Sequence, residues 1–462
     1  MRRRTFMTGL AGLATTAGLT ACGTGTSGPG AEQPSGPVSD EGSGTIKVAY
    51  QKFGNYIQGD KLFTKVKEQF EAENSSYKVE LIPIEASQND YFTKLALMNR
   101  SESTAPDIMY EDTYMIRSDV DAGYLRPLDD HLGGWSEWGQ FVETAKQAGL
   151  ADDGKTYGIP MGTDTRGLWF HKELITKAGL PEDWAPANWD ELLEAARAIK
   201  KSSPDVIPFN IYSGKPMGEA AVMQGFEMLL YGTGGTLYDT ANSKWIVGAP
   251  QFVSSLNFLK TVFSEGLAPQ PQQALDANWS TKVQGELLPK GKLAIALDGS
   301  WLPGTWQEDG EAPWKEWSDQ VGTAAMPTET GQEPGKVSMS GGWTIAMGAH
   351  CKNPNAAFTF MSMALGKDNA LDYNVGGAEI AVRTDVAADE KYLSANPTTK
   401  FWSDLVEVTH YRPATADYPQ ISNEIMVAME SVMTGKAEPA DAAKKYDDAV
   451  VSLVGKEQTA AG

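Results

Sequence analysis

The stretch Thr45-Ile46-Lys47-Val48-Ala49-Tyr50 alternates with the two-residue period of a strand. The next apolar residues, Leu62, Phe63, Val66 and Phe70, fall instead at helical spacing within 60–73. Tyr77–Ile84 reads as a second strand, 89–99 as a second helix and Asp107-Ile108-Met109-Tyr110 as a third, short strand. Strands that alternate with helices bury a mostly parallel sheet between helical layers, so the fold class is α/β. The alternation resumes after Gly158. Asp190–Lys201 is an amphipathic helix behind Trp189, with Asp190 expected as its cap. A helix is expected over 251–265, stopped by Gly266, and buried strands over Leu293–Leu297 and Trp343–Met347. Further helices are expected over 355–365, 399–409, 420–434 and 438–455, and the polar tail Gly455–Gly462 is expected to fray.

The chain has 462 residues, enough for two packed domains. Its 60 Asp and Glu against 39 Lys and Arg give a formal net charge of −21. Such a surface does not suit nucleic acid, whose binders release counterions with Lys and Arg, nor adsorption to anionic lipid through a basic face. Only Cys22 and Cys351 occur, which rules out a disulfide scaffold or a zinc ribbon. His131, His171, His350 and His410 have no metal-ligand spacing, and no metal or cofactor is expected. Gly232-Thr233-Gly234-Gly235 lacks the Lys-Ser/Thr of a phosphate-binding loop and reads as a helix stop. Neither a His-Glu-x-x-His helix nor a Gly-x-Ser-x-Gly elbow is present.

The N-terminus reads as an address. Arg2-Arg3-Arg4, a mild apolar run and Leu19-Thr20-Ala21-Cys22-Gly23 make a secretory signal over residues 1–21. Arg3-Arg4 followed by Phe6 resembles the twin-arginine export pattern. Leu19–Cys22 resembles a bacterial lipobox, which implies cleavage before Cys22 and a diacylglycerol on its thiol. Residues 22–44, rich in Gly, Ser, Thr and Pro, then form a flexible tether. The expected location is the extracytoplasmic face of the cell membrane, with Cys22 as the lipid anchor. Cys351 is left as a lone thiol and is expected to be a small buried hydrophobe.

The positive chemical signal is aromatic. Trp169, Trp279, Trp301 and Trp343, among 13 tryptophans, sit beside polar loops. A sugar ring offers an apolar C–H face and a rim of hydroxyls, so it needs a flat aromatic surface with carboxylate, amide or guanidinium partners. Asp164 and Arg166 flank Trp169, and Asp298 precedes Gly299-Ser300-Trp301. Ligands of open α/β sheets bind beyond the carboxyl ends of strands, where these residues are expected.

Several ordered stretches resemble one family. Ala105-Pro106-Asp107-Ile108-Met109-Tyr110 with Ala122-Gly123-Tyr124-Leu125-Arg126-Pro127-Leu128-Asp129 matches a P-D-I…G-x-L-x-P-L-D pattern. Gly154-Lys155-Thr156-Tyr157-Gly158-Ile159-Pro160 matches G-K-x-Y-G-I-P, and Leu168-Trp169-Phe170-His171-Lys172-Glu173-Leu174 with Ala178-Gly179-Leu180 resembles L-x-Y-N-K-x-L…A-G-L, with His171 in place of Asn. Gly291-Lys292-Leu293-Ala294-Ile295 with Gly299-Ser300-Trp301, and Arg412-Pro413 through Tyr418, complete the set. In this order they resemble the extracellular solute-binding proteins of ABC sugar importers, of the maltose-binding-protein type, over almost everything after residue 45. The resemblance implies a two-lobed, periplasmic-binding-protein-like α/β fold with the ligand between the lobes. Lobe 1 is then expected over 45–160 and 327–380, and lobe 2 over 161–326 and 381–457, with crossings near Pro160–Thr163, Met326–Glu333 and Gly376–Ala381. Lobe closure on the ligand is the expected mechanism.

The resemblance also implies site residues. They are Tyr50, Gln51 and Phe53 after the first strand, Glu111 and Asp112 after the third, and Asp164 four residues beyond Pro160. Trp279, Asp298 and Trp301 follow from the second half of the chain, then Gly342 and Trp343 where it re-enters lobe 1, and Arg412 in the late turn. The implied partners are an oligosaccharide and the permease subunits of an ABC transporter, with no catalysis. Two rival readings stay open: the same fold binding a polyamine, peptide, phosphorylated polyol or metal chelate, and a secreted glycosidase using carboxylates such as Asp164 and Asp298.

Overall fold

The structure, a computed structural model, describes residues 40–52, 54 and 57–462. The signal, Cys22, nearly all of the tether and Phe53 lie outside the described residues.

Two sheets organise the chain. The first has the strand order Tyr77–Ile84, Gly44–Gln51, Ile108–Asp112, Trp343–Met347, Gly158–Pro160. Its first three strands are parallel, and Trp343–Met347 returns antiparallel to both of its neighbours. Ile46, Val48, Ile108 and Ile345 pack there against Phe63, Val66 and Phe70 of the helix Gln58–Glu73 and Phe360 of the helix Pro354–Ala364. The alternation at 45–50 thus buries one row against these helices, while Ala49 faces the other layer. Cys351 belongs to this core and is buried.

The second sheet has the order Val321–Ala324, Arg166–His171, Leu293–Gly299, Ile207–Asn210. Leu293–Gly299 is buried along its whole length, as a central strand covered on both faces must be. Trp169 is not beside a ligand loop: it is fully buried, tilted against Trp402 and edge-on to Trp306, and its indole N–H donates to the Gly299 carbonyl (2.9 Å).

The chain passes from the first sheet to the second between Pro160 and Arg166. On its return it lays down Met326–Pro327 and Lys336–Met339 before it enters the first sheet at Trp343, and Thr409–His410, much later in the chain, completes a separate three-stranded sheet with them. A third passage is tied by backbone bonds in both directions between Thr163 and Ile380 (2.9 and 2.8 Å).

Three local expectations are corrected. The helix at 190–201 begins at Trp189, and its cap is Asn188, whose side chain accepts from the Glu191 N–H (2.9 Å); buried Trp189 fixes the start one residue early. The helix expected over 399–409 is α-helical only to Asp404, tightens to a 3-10 turn over Leu405–Val408 and stops there, because Thr409–His410 pairs with Ser338–Met339. The tail does not fray: Thr459–Ala461 lies parallel to Trp245–Val247, whose open edge offers it backbone partners.

Replacing Asn188 with Ala is expected to cost about 1 kcal/mol, while Asp190→Ala stays within about 0.5 kcal/mol. Urea unfolding of the two variants measures the difference, and equal losses would return the cap to Asp190.

Candidate functional site

Between the carboxyl ends of the two sheets lies a cleft. Register decides what it receives from the first sheet. Asp112 and Trp343 are directly opposed at the end of the adjacent strands, and Gln51 ends the strand beside them. Gly342 precedes Trp343 at a φ of 129°, and a methyl group there would stand 2.5 Å from the Gly162 carbonyl, so the two passages pack backbone to backbone. From the other side come Asp164, Arg166, Glu219 and Trp301. The open space is narrow, about 90 Å³, and continues into a second recess of about 50 Å³ that shares Gln51, Gln284, Trp301, Trp343 and Glu379. The walls also meet outside it. Lys61 Nζ pairs with Asp309 (2.9 Å), and a methyl at Gly218 would stand 2.8 Å from Asn89 Oδ1.

The aromatic groups are fixed from behind. Trp343 stacks on Tyr110 (4.2 Å between centroids, 7° between planes), and Phe92 lies further out at 6.1 Å. The Arg166 guanidinium lies 4.9 Å from the Trp301 ring centroid, which occupies one aromatic face. The Trp301 indole N–H has no hydrogen-bond partner among the described residues.

The charged groups form two buried knots. Asp164 accepts from Arg166 and from the Gly341 N–H (2.8 Å). Arg412 pairs with Asp112 and reaches Glu219 Oε2 at 3.4 Å, donates to Thr113 Oγ1 (3.1 Å) and lies 4.4 Å over the Tyr114 ring. Gln88 Nε2 donates to the other Asp112 oxygen (3.0 Å). Glu219 is held by the Ser422 hydroxyl and lies 3.1 Å from the Tyr418 hydroxyl, which also lies 3.2 Å from Glu227 Oε1. Burial, then the charge of Glu219, pushes Glu227 up to about 8. Glu379 lines both recesses, and its carboxylate has no hydrogen-bond or ion-pair partner among the described residues. Burial, then the charge of Asp164, pushes it well above the usual carboxylate range, against the pull of Arg166.

The sequence-predicted residues divide. Gln51, Asp112, Asp164, Trp301, Gly342 and Trp343 line the cleft together. Glu111 does not, because neighbours on a strand face opposite ways. Its carboxyl is fully buried against that of Asp119, and burial raises both. Tyr50 turns into the first core, where its hydroxyl donates to Asp60 (2.6 Å). Trp279 is buried and donates its indole N–H to Asn210 Oδ1 (2.8 Å). Asp298 is fully buried behind the cleft, where it accepts from Tyr212 (2.7 Å), Gln284 (3.2 Å) and its neighbour's Gly299 N–H (2.8 Å). Burial pushes it up to about 6. Arg412 stands behind Asp112 rather than in the cleft wall. Glu219, Glu379, Gln88 and Gln284 were not foreseen. Glu379 falls within the crossing expected at Gly376–Ala381, so an acid at a crossing was the available signal.

A larger cavity, about 490 Å³, lies on the opposite side of the crossings. Alternate residues of the same segments face it: Thr163 rather than Asp164, Ile380 rather than Glu379. Its walls include Tyr114, Val142, Val406 and Tyr411, and it lacks the convergent carboxylates and amides of the cleft. Among the described residues no group of three or more His, Cys, Asp or Glu could hold a metal, and no helix is long and apolar enough to cross a membrane.

Removing Arg412 leaves two buried carboxylates uncompensated. Arg412→Met is therefore expected to destabilise the protein by roughly 3–5 kcal/mol. Urea unfolding near neutral pH measures it, and a loss below about 1 kcal/mol would mean that water screens the knot.

Comparison with known proteins agrees with this geometry. The family model described as bacterial extracellular solute-binding protein matches residues 54–371. A putative binding protein of Brucella abortus (strain 2308) is 26% identical over 391 residues, 83% of this chain and 89% of that one. Among solved structures, the GacH receptor of Streptomyces glaucescens GLA.O, determined unliganded and with acarbose, superposes with a TM-score of 0.75 at 23% identity, covering 90% of this chain and 99% of that one. An ABC transporter solute-binding protein of Thermotoga lettingae bound with α-D-tagatose gives 0.76 at 23% identity, covering 89% and 100%. The two sheets facing each other across a cleft are thus the two lobes of a shared fold, and this chain belongs to the bacterial extracellular solute-binding proteins.

Proposed function

We propose that this protein is the solute receptor of an ABC importer and captures an oligosaccharide or another sugar in the cleft. The observation that carries this reading is the pairing of Trp301 and Trp343 with Gln51, Gln88, Asp112 and Asp164 around one narrow space. Indole surface meets the C–H face of a pyranose, while amides and carboxylates take its hydroxyls. The names of the relatives support it, since acarbose and α-D-tagatose are the ligands named for the two structures above. The lobes, with the boundaries expected above, would close on the sugar because it contacts both walls, and the closed pair would dock on the permease. No catalysis is proposed. Asp298, one of the two carboxylates a glycosidase reading would use, is buried behind the cleft and committed to three donors. A lipid on Cys22 would hold the receptor at the extracytoplasmic face of the membrane.

A thermal-shift screen against mono- and oligosaccharides, with polyamines and short peptides alongside, tests the reading. Ligands that bind only the native state raise the melting temperature by mass action. A shift with a sugar series is expected, and a shift with peptides alone would overturn the sugar assignment. Trp343→Ala and Trp301→Ala are each expected to weaken the sugar about tenfold or more, from about 1.5 kcal/mol of lost stacking and burial. Calorimetry measures this, and unchanged affinity in both variants would move the site out of the cleft.

A further inference from the structure

Four carboxyl groups at the cleft are set against two arginines, and one of the four has no partner among the described residues. Asp112 and Glu219 share Arg412, and Asp164 has Arg166. Among the described residues Arg166 is the only lysine or arginine that lines either recess, since Arg412 stands behind Asp112. Glu379 is left, facing both recesses, without a partner among the described residues.

Its backbone is nevertheless held firmly. The Glu379 N–H donates to the Asn374 carbonyl (3.0 Å), and its own carbonyl accepts from the Tyr392 hydroxyl (3.1 Å). The next residue, Ile380, is clamped to Thr163. The side-chain stem is confined as well: a methyl at Gly162 would stand 3.1 Å from Glu379 Cβ, and one at Gly377 3.1 Å from its Cγ. A fixed stem that ends in an uncommitted carboxyl group, set beside aromatic walls, is preorganised for a ligand group.

We propose that the solute is an amino sugar or an amino-substituted polyol whose ammonium group is seated by Glu379, with Asp164 on its far side. The inference rests on the sugar-receptor reading and narrows it. A hydroxyl would give this carboxyl group one neutral hydrogen bond. An ammonium adds a charge-assisted bond in a desolvated place and cancels the excess acid. The groups facing Glu379 are Asp164, Arg166 and the phenols of Tyr110, Tyr373 and Tyr392. Of these only Arg166 is cationic, and it is already engaged by Asp164. Burial favours the protonated form of the Glu379 carboxyl in the empty cleft. An entering ammonium lowers its pKa, so the carboxyl proton passes to solvent on binding; a neutral sugar leaves it in place.

The test uses matched pairs on the whole protein: glucosamine with glucose, galactosamine with galactose, and the deacetylated chitosan disaccharide with cellobiose. Thermal shift ranks them. Calorimetry in two buffers of different ionisation enthalpy then counts protons, for wild type and for Glu379→Gln. The expected result is a preference of about tenfold or more for an amino member over its neutral partner, with proton release. In Glu379→Gln the amino member loses its advantage over its neutral partner and the proton release disappears, while the cooperative melt remains. A neutral sugar that binds as tightly as its amino partner, or a preference that survives Glu379→Gln, overturns the amine inference and leaves the sugar reading standing. Failure of every sugar, amino and neutral, with a shift from polyamines or peptides overturns both.

Discussion

A guanidinium buried between carboxylates of two lobes holds the base of the cleft. Arg412 pairs with Asp112 at the end of the first sheet and with Glu219 on the opposite wall, over the ring of Tyr114. Desolvating these charges is costly, and the cost is offset only while each keeps its partners. Ser422, Tyr418, Gln88 and Thr113 supply the remaining bonds. The same logic repeats at Asp164, which joins Arg166 of the second sheet to the Gly341 N–H on the passage into the first. Both knots sit where the chain crosses, so the charges that shape the cleft also set how the lobes meet.

The polar groups aimed into the cleft are therefore of two kinds. Those in the knots are committed to protein partners. Glu379 and the Trp301 indole N–H have no hydrogen-bond partner among the described residues, and these are the groups the proposal assigns to a solute. Committed groups keep the shape when the cleft is empty, and free ones give direction to what enters. The larger cavity behind the crossings has volume without this convergence. Volume alone does not make a recognition site.

Much of the fold was legible because periodicity is a local signal. The alternation at 45–50 and the helical spacing of Leu62, Phe63, Val66 and Phe70 gave elements that the structure contains, and the ordered motifs gave the two-lobed architecture. The site was legible only where a motif coincided with a strand end, as at Asp112, Asp164 and Trp343. Glu111 failed on strand parity, which the sequence does contain: if Asp112 faces the cleft, its neighbour faces away. Trp279 and Asp298 failed for a reason no local pattern carries. Their partners, Asn210 and Tyr212, are distant in the chain and draw them into the second lobe. Glu219 sits in a stretch with no periodic signal, and Glu379 lies at a crossing that reads as a hinge. The cap lies two residues before the expected Asp190, at Asn188, and buried Trp189 decided it.

The most direct measurement is a crystal structure of the protein with the sugar that stabilises it most. Electron density between Trp301 and Trp343, within hydrogen-bond reach of Glu379 and Asp164 and with the Arg412 knot intact beneath it, is the predicted result. Density in the cavity bounded by Val142, Val406 and Tyr411, with the cleft empty, would contradict it.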